Sequence, residues 1–186
     1  MTRAPKPRGR LVVLAGPSGV GKGTVVAEVR ALRPDLWISV SATTRPARPG
    51  EREGVQYHFW TPERFRAVLD QGGFLEWAEF AGNRYGTPRE PVVERLAAGQ
   101  SVLLEIDLAG ARQVREAMPH AFLVFLTPPS FAVLEERLRG RGTEDEAALA
   151  RRLEHAREEL AAAAEFDAVV VNDDVGRAAR ELLDLL

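Results

Sequence analysis

Apolar positions in this chain fall into short continuous runs separated by stretches of helical spacing. Leu11 to Ala15 is apolar throughout and reads as a strand covered on both faces. Val25, Val26, Val29 and Leu32 then mark one face of a helix over 23–32, which Pro34 ends. Trp37 to Ser41 reads as a short strand running into a loop, and the prolines and glycines of SATTRPARPGEREGVQYHFW exclude a helix there. Tyr57, Phe59 and Trp60 suggest another strand. Pro62 opens a helix to Leu69 with Thr61 as its cap. FLEWAEF sets Phe74, Trp77 and Phe80 against Glu76 and Glu79, and GNRYGTP (82–88) reads as turn-rich. A helix over Pro88 to Ala98 ends at Gly99. Beyond it come an apolar strand within 101–106, a helix over 109–118, a strand from Ala121 to Leu126 and a helix from Ser130 to Arg139. A long charged helix, a strand over 168–171 and a C-terminal helix complete the chain. The order β-α, irregular insertion, β-α-β-α-β-α predicts an α/β fold with a parallel sheet, right-handed crossovers and helices on both faces.

Composition narrows this only a little. The 186 residues suit one large domain, or a core with small insertions, and 45% hydrophobic with 28% charged residues is ordinary for a globular protein. A net charge of -2 gives no global attraction to nucleic acid or an acidic membrane. The lack of cysteine excludes disulfides, thiolate nucleophiles and Cys-ligated zinc. No apolar run approaches a membrane span. Residues 1–10 (MTRAPKPRGR) read as a flexible basic tail, not a secretory signal. His58, His120 and His155 lack metal-ligand spacing and receive no catalytic role.

Chemistry enters with GPSGVGKGT, directly after the first strand. Gly16, Gly19 and Gly21 let backbone N–H groups approach a ligand, the following helix aims its positive end at the same place, and Lys22 adds a full charge. Strand, glycine loop and helix together form a phosphate-cradling loop. The usual Mg²⁺-ligating hydroxyl would follow Lys22 directly; Gly23 stands there and the hydroxyl comes one place later, at Thr24. Arg45 and Arg48, on a proline-stiffened loop after Ser41, Thr43 and Thr44, suggest a second phosphate site. Glu105 and Asp107 end the strand that begins near 101, where acids of phosphate-loop enzymes assist Mg²⁺. Arg137, Arg139, Arg141, Arg151 and Arg152 flank a loop that could close over a triphosphate.

Taken together, GPSGVGKGT, SVSATTRPARPGEREGVQYHF, FLEWAEFAGNRYGT, LLEIDLAGA, RGRGTEDE with ARRL, and VVNDD resemble guanylate kinase over essentially the whole length after the tail. That resemblance implies a P-loop NTPase-type core (11–40 and 91–186), a small mixed α/β GMP-binding insertion (41–90) and a lid near 137–152. It implies transfer of a phosphoryl group from ATP to GMP, and to dGMP, with Mg²⁺. Gly16, Pro17, Ser18, Gly19, Val20, Gly21, Lys22, Gly23 and Thr24 would hold ATP, with Asn172 near the adenine and lid, and Arg137, Arg141 and Arg152 would close on ATP and the transferred phosphoryl. Arg45, Arg48, Tyr57 and Tyr85 would hold the GMP phosphate. Ser41, Glu76 and Thr87 would read the guanine, with Asp107 on the GMP side as well. Lys22, Arg45, Arg141 and Arg152 would act on the transferred phosphoryl, and Thr24 and Asp107 would serve Mg²⁺, directly or through water. Ala109 departs from the Gln often found there in the family. The expectation is a cytoplasmic monomer or weak homodimer acting on ATP and GMP, with no nucleic-acid or membrane partner. A kinase for another monophosphate on the same fold, and a scaffold module that only binds, are the alternatives.

Overall fold

The computed structural model describes residues 9–140 and 146–186. The expected tail therefore lies largely outside the described residues, as do Arg141 and the centre of the expected lid. The elements are β1 (Leu11–Ala15), α1 (Lys22–Leu32), β2 (Trp37–Ile38), β3 (Ala42–Thr43), β4 (His58–Phe59), α2 (Pro62–Asp70), β5 (Phe74–Phe80), β6 (Asn83–Pro88), α3 (Arg89–Ala97), β7 (Val102–Glu105), α4 (Leu108–Ala117), β8 (Phe122–Thr127), α5 (Phe131–Arg139), α6 (Glu146–Ala161), β9 (Ala168–Val171) and α7 (Val175–Asp184).

Five strands form a parallel sheet in the order β2-β7-β1-β8-β9. Because side chains alternate across a strand, β1 feeds two cores. Val12 and Leu14 join Val25 and Val29 of α1 and Ala179 and Leu182 of α7 on one face. Leu11, Val13 and Ala15 join Val92 of α3 and Ala111 and Val114 of α4 on the other. Both faces are thus covered by helices, which is why these strands read as unbroken apolar runs. Burial of each such Val or Leu contributes about 1.5–3 kcal/mol. Leu32, expected on the apolar face of α1, lies at the helix end and is exposed.

The remaining strands form a second sheet, β4-β3-β6-β5, between Ala42 and Pro88. Its small core stacks Phe65 of α2 on Phe74 at 4.4 Å between ring centroids, with Trp60 alongside. The strand expected from Trp37 to Ser41 stops at Ile38, and a separate strand begins just beyond Ser41. Trp37–Ile38 stays in the core sheet, and Ala42–Thr43 pairs with β6 in the second. The turn-rich reading of 82–88 is corrected to a strand: Asn83–Pro88 pairs antiparallel with β5. Gly86 is there because a Cβ would meet Phe74 Cδ1 at 2.8 Å and the Glu76 carbonyl oxygen at 2.9 Å, a close strand approach and not a turn. The free edge of β5 is covered by Gln113 of α4. Its amide accepts from Trp77 N at 3.1 Å and donates to Trp77 O at 3.0 Å, tying the second sheet to the core next to Glu76.

Candidate functional site

The loop from Gly16 to Gly21 leaves β1 at its carboxyl end and enters α1 through Gly21, whose φ is 98°. That left-handed backbone favours glycine, and space demands it as well: a Cβ there would meet Asn172 Nδ2 at 2.7 Å. Lys22 Nζ donates to Gly16 O at 2.5 Å and to Pro17 O at 3.3 Å, which holds the ammonium over the loop. Buried Asn172 and half-buried Arg137 brace the loop from behind. Asn172 Nδ2 and Arg137 Nη1 both donate to Val20 O, at 2.8 and 3.0 Å, and Arg137 Nη2 donates to Asn172 O. These two residues, Gly19, Gly21 and Thr24 line a cleft of about 460 Å³. On the other side of the loop, Ser18 accepts from Arg152 Nη2 at 3.0 Å, and its amide donates to Glu159 of α6 at 3.2 Å.

The second sheet presents two polar clusters. In the first, Glu76 and Thr87 sit directly opposite each other on β5 and β6. Both are buried, and Thr87 Oγ1 donates to Glu76 Oε1 at 2.6 Å. The α4 N-terminus closes this cluster: Asp107 caps the helix by accepting from Gly110 N at 2.7 Å. At Gly110 a Cβ would lie 2.9 Å from Glu76 Oε2 and 3.2 Å from Asp107 Oδ1. Burial pushes the Glu76 carboxyl above its ordinary value; the Thr87 hydroxyl works against that shift and the Asp107 charge adds to it.

In the second cluster, Arg45 lies over the Tyr57 and Phe59 rings at 5.2 and 5.8 Å, and Tyr57 meets Tyr85 edge-on at 5.9 Å. Burial raises the Tyr57 hydroxyl above its usual value. Glu51 grips Arg45 with both carboxylate oxygens. Between the clusters and the loop, Ser41, Tyr57, Glu105 and Gly23 share a cleft of about 500 Å³.

A phosphate loop, a basic and aromatic cluster, and a buried carboxylate–hydroxyl pair are thus arranged around the carboxyl end of a parallel sheet. The guanylate kinase family model matches residues 8–186 of this chain. The chain belongs to the guanylate kinase family. It is 63% identical to guanylate kinase of Synechococcus sp. (strain CC9902) over 94% of this chain and 93% of that protein. It is also 63% identical to guanylate kinase of Thermobifida fusca (strain YX), over 95% and 90% respectively. The crystal structure of guanylate kinase from Anaplasma phagocytophilum superposes with a TM-score of 0.76 at 34% identity, covering 97% of this chain and 85% of that one.

Within the family's fold, the structure brings most of the sequence-derived site residues together, and it gives Thr24 and Asp107 different neighbours. Successive helix residues point about 100° apart, so Gly23 and Thr24 face different clefts. Thr24 lines the cleft of Arg137 and Asn172. Asp107 lies beside Glu76 and uses its Oδ1 for the α4 cap. The acid at the loop is Glu105: a Cβ on Gly23 would sit 3.6 Å from Glu105 Oε1. Burial raises the Glu105 carboxyl, while Lys22 and Arg30 pull it down. Glu105 was visible in sequence as a strand-end acid. Its register opposite Leu14, the second-last residue before the loop, separates its role from that of Asp107. The backbone of Arg48 meets Glu51 Oε2 at 2.7 Å, and the Arg48 residue is exposed. Arg141 lies outside the described residues.

Proposed function

We propose that this protein transfers the γ-phosphoryl group of ATP to GMP, and to dGMP, giving ADP and GDP or dGDP. The observation that carries this reading is the buried Glu76–Thr87 pair packed against Gly110 and Asp107. Guanine offers adjacent donors, N1–H and the 2-amino group, and one carboxylate accepts both. Adenine presents a lone pair at N1 and has no 2-amino group, so a buried carboxylate would face repulsion there. Thr87 and Ser41 are hydroxyls suited to the remaining edge of the base. In this reading residues 41–90 form the acceptor unit and 137–152 the lid.

Arg45, Arg48, Tyr57 and Tyr85 hold the GMP phosphate, whose own oxygen is the nucleophile on the γ-phosphorus; ADP leaves along the opposite direction. No strong general base is needed, because that oxygen is already anionic. Lys22 and the loop amides hold the ATP phosphates, and Arg137, Arg141 and Arg152 offset charge on the transferred group, so catalysis is positioning plus electrostatics.

For Mg²⁺, no group of three or more His, Cys, Asp or Glu among the described residues could hold a metal ion. Mg²⁺ keeps waters and substrate phosphates as most of its ligands and needs only one or two carboxylates. Glu105, beside Lys22 and Gly23, fits that need better than Thr24 with Asp107. Glu105 would hold Mg²⁺, directly or through water, and the ion would supply positive charge that offsets the charge on the phosphates. No helix of the described residues is long and apolar enough to cross a membrane, and we read the cytoplasm, where both nucleotides occur, as the place of action.

A coupled assay of ADP formation with GMP, dGMP, AMP, CMP and UMP as acceptors tests the reading. GMP is expected to be the best acceptor. A preference for AMP or UMP would overturn the guanine assignment, and no turnover with any acceptor would favour a binding module.

A further inference from the structure

Arg48-Pro49-Gly50-Glu51 forms a turn closed by Glu51 N donating to Arg48 O at 3.0 Å. Proline at the second position and a glycine at the third, with φ 87°, are what a type II turn requires. The turn brings Glu51 back along the loop, so its Oε2 accepts from Arg48 N at 2.7 Å. The same carboxylate meets Arg45 in a fork: Oε2 takes Nη1 at 2.7 Å and Oε1 takes Nη2 at 2.8 Å. Both side chains are mostly covered, at 11% and 18% exposure.

The donors of Arg45 can be followed individually. Nη1 gives its two hydrogens to Glu51 Oε2 and to Pro46 O, the latter at 2.8 Å. Nη2 gives one to Glu51 Oε1. The Nε–H and the second Nη2 hydrogen make up the other edge of the guanidinium, a parallel pair spaced for two phosphate oxygens. The Tyr85 hydroxyl adjoins the same guanidinium and Tyr57 lies under it.

We propose that Glu51 is a positioning residue for the acceptor phosphate: it grips the Nη1/Nη2 end of Arg45 and the Arg48 amide, and so presents the Nε/Nη2 edge to the monophosphate. This rests on the reading that Arg45 holds the GMP phosphate. An arginine side chain free to rotate loses its rotamer freedom when it binds an anion. Here the fork with Glu51 fixes that geometry beforehand, and a guanidinium with two edges can serve two anions at once. Glu51 carries its charge throughout the working pH range, since Arg45 and then the Arg48 amide hold its carboxyl at about 2.

The test compares GMP with guanosine, which keeps the base and lacks the phosphate, in wild type, Glu51→Gln, Arg45→Ala and the double variant. KM for GMP, KM for ATP and competitive inhibition by guanosine are measured in each. Glu51→Gln is expected to raise KM for GMP about tenfold, with guanosine inhibition and KM for ATP changed less than about twofold. The double variant should match Arg45→Ala. If Arg45→Ala weakens GMP and Glu51→Gln leaves it unchanged or tightens it, the positioning role is wrong and the phosphate-site reading stands. Equal loss of GMP and guanosine in Glu51→Gln would mean a structural role and also overturn the proposal. If Arg45→Ala itself leaves GMP binding intact, the phosphate-site reading fails and the proposal with it.

Discussion

Glu76→Gln offers a demanding test of how the base is read, because the substitution keeps shape and changes one atom. Thr87 Oγ1 donates to Glu76 Oε1 at 2.6 Å, and a glutamine Oε1 retains that bond. The glutamine NH2 then takes the place of Oε2, which lies against Gly110. A donor there faces the N1–H and 2-amino donors of guanine. Of the two hydrogen bonds from the base, one becomes a donor–donor contact and the other loses its charged acceptor, at about 1.5–3 kcal/mol each. The total of about 3–6 kcal/mol corresponds to a fall of about 10²–10⁴-fold in kcat/KM for GMP. Inosine monophosphate lacks the 2-amino group, so its loss should be about one such bond and the GMP-to-IMP preference should shrink. KM for ATP should change less than about twofold, because the loop and its brace are unaltered. A coupled ADP-release assay gives all three quantities. An unchanged GMP-to-IMP ratio, or equal losses for GMP and ATP, would refute the role given to Glu76.

Gly110→Ala should separate stability from recognition. Alanine is the better helix residue by about 1 kcal/mol, yet its Cβ would sit 2.9 Å from Glu76 Oε2; KM for GMP should rise at least severalfold, and an unchanged value would contradict the packing described. Gly23→Ser should fold well, since its Cβ makes ordinary contact with Glu105 Oε1 at 3.6 Å. It should lower the Mg²⁺ concentration for half-maximal rate, and calorimetric titration with MgADP should show tighter binding; no change in either would remove Glu105 and position 23 from the metal's surroundings. Acidity gives a prediction in two parts. The Glu76 carboxyl is raised from 4.5 by burial, so kcat/KM for GMP should fall on acidification at higher pH than an ordinary carboxylate would dictate. For stability the sign is opposite: a raised acid costs the fold stability as pH rises through its folded value. The melting-temperature gain of Glu76→Gln over wild type should therefore be near zero close to pH 4.5 and grow towards neutrality, and a constant gain across that range would contradict the shift.

Much of the fold was legible because its signals are local. Strand β1 and its neighbours read as unbroken apolar runs, since both faces of a parallel sheet are covered. The glycine loop announced itself by spacing and by its place between strand and helix. The second sheet was harder. Gly82 and Gly86 in GNRYGTP look like turn residues, and only the pairing with β5 shows that Gly86 is small because a neighbouring strand lies against it. Trp37 to Ser41 looked like one strand because nothing local shows that the chain changes sheets after Ile38. At the loop, Thr24, the first hydroxyl after Gly23, lines the cleft of Arg137 and Asn172, a direction that spacing alone does not give.

The sequence by itself determined the donor half: strand, glycine loop and lysine are contiguous, so their chemistry is written within a dozen residues. It also supplied the residue types of the acceptor half. Which neighbours each acid meets was decided only by tertiary structure. Glu105 and Asp107 are two residues apart, yet one lies beside Gly23 of the loop and the other beside Glu76, because the strand ends and a helix cap begins between them. Glu51, an unremarkable acid in a proline-glycine loop, became the partner of Arg45 only when a type II turn folded it back. Such pairings depend on the direction of side chains brought together from separate elements, and spacing along a chain does not record direction.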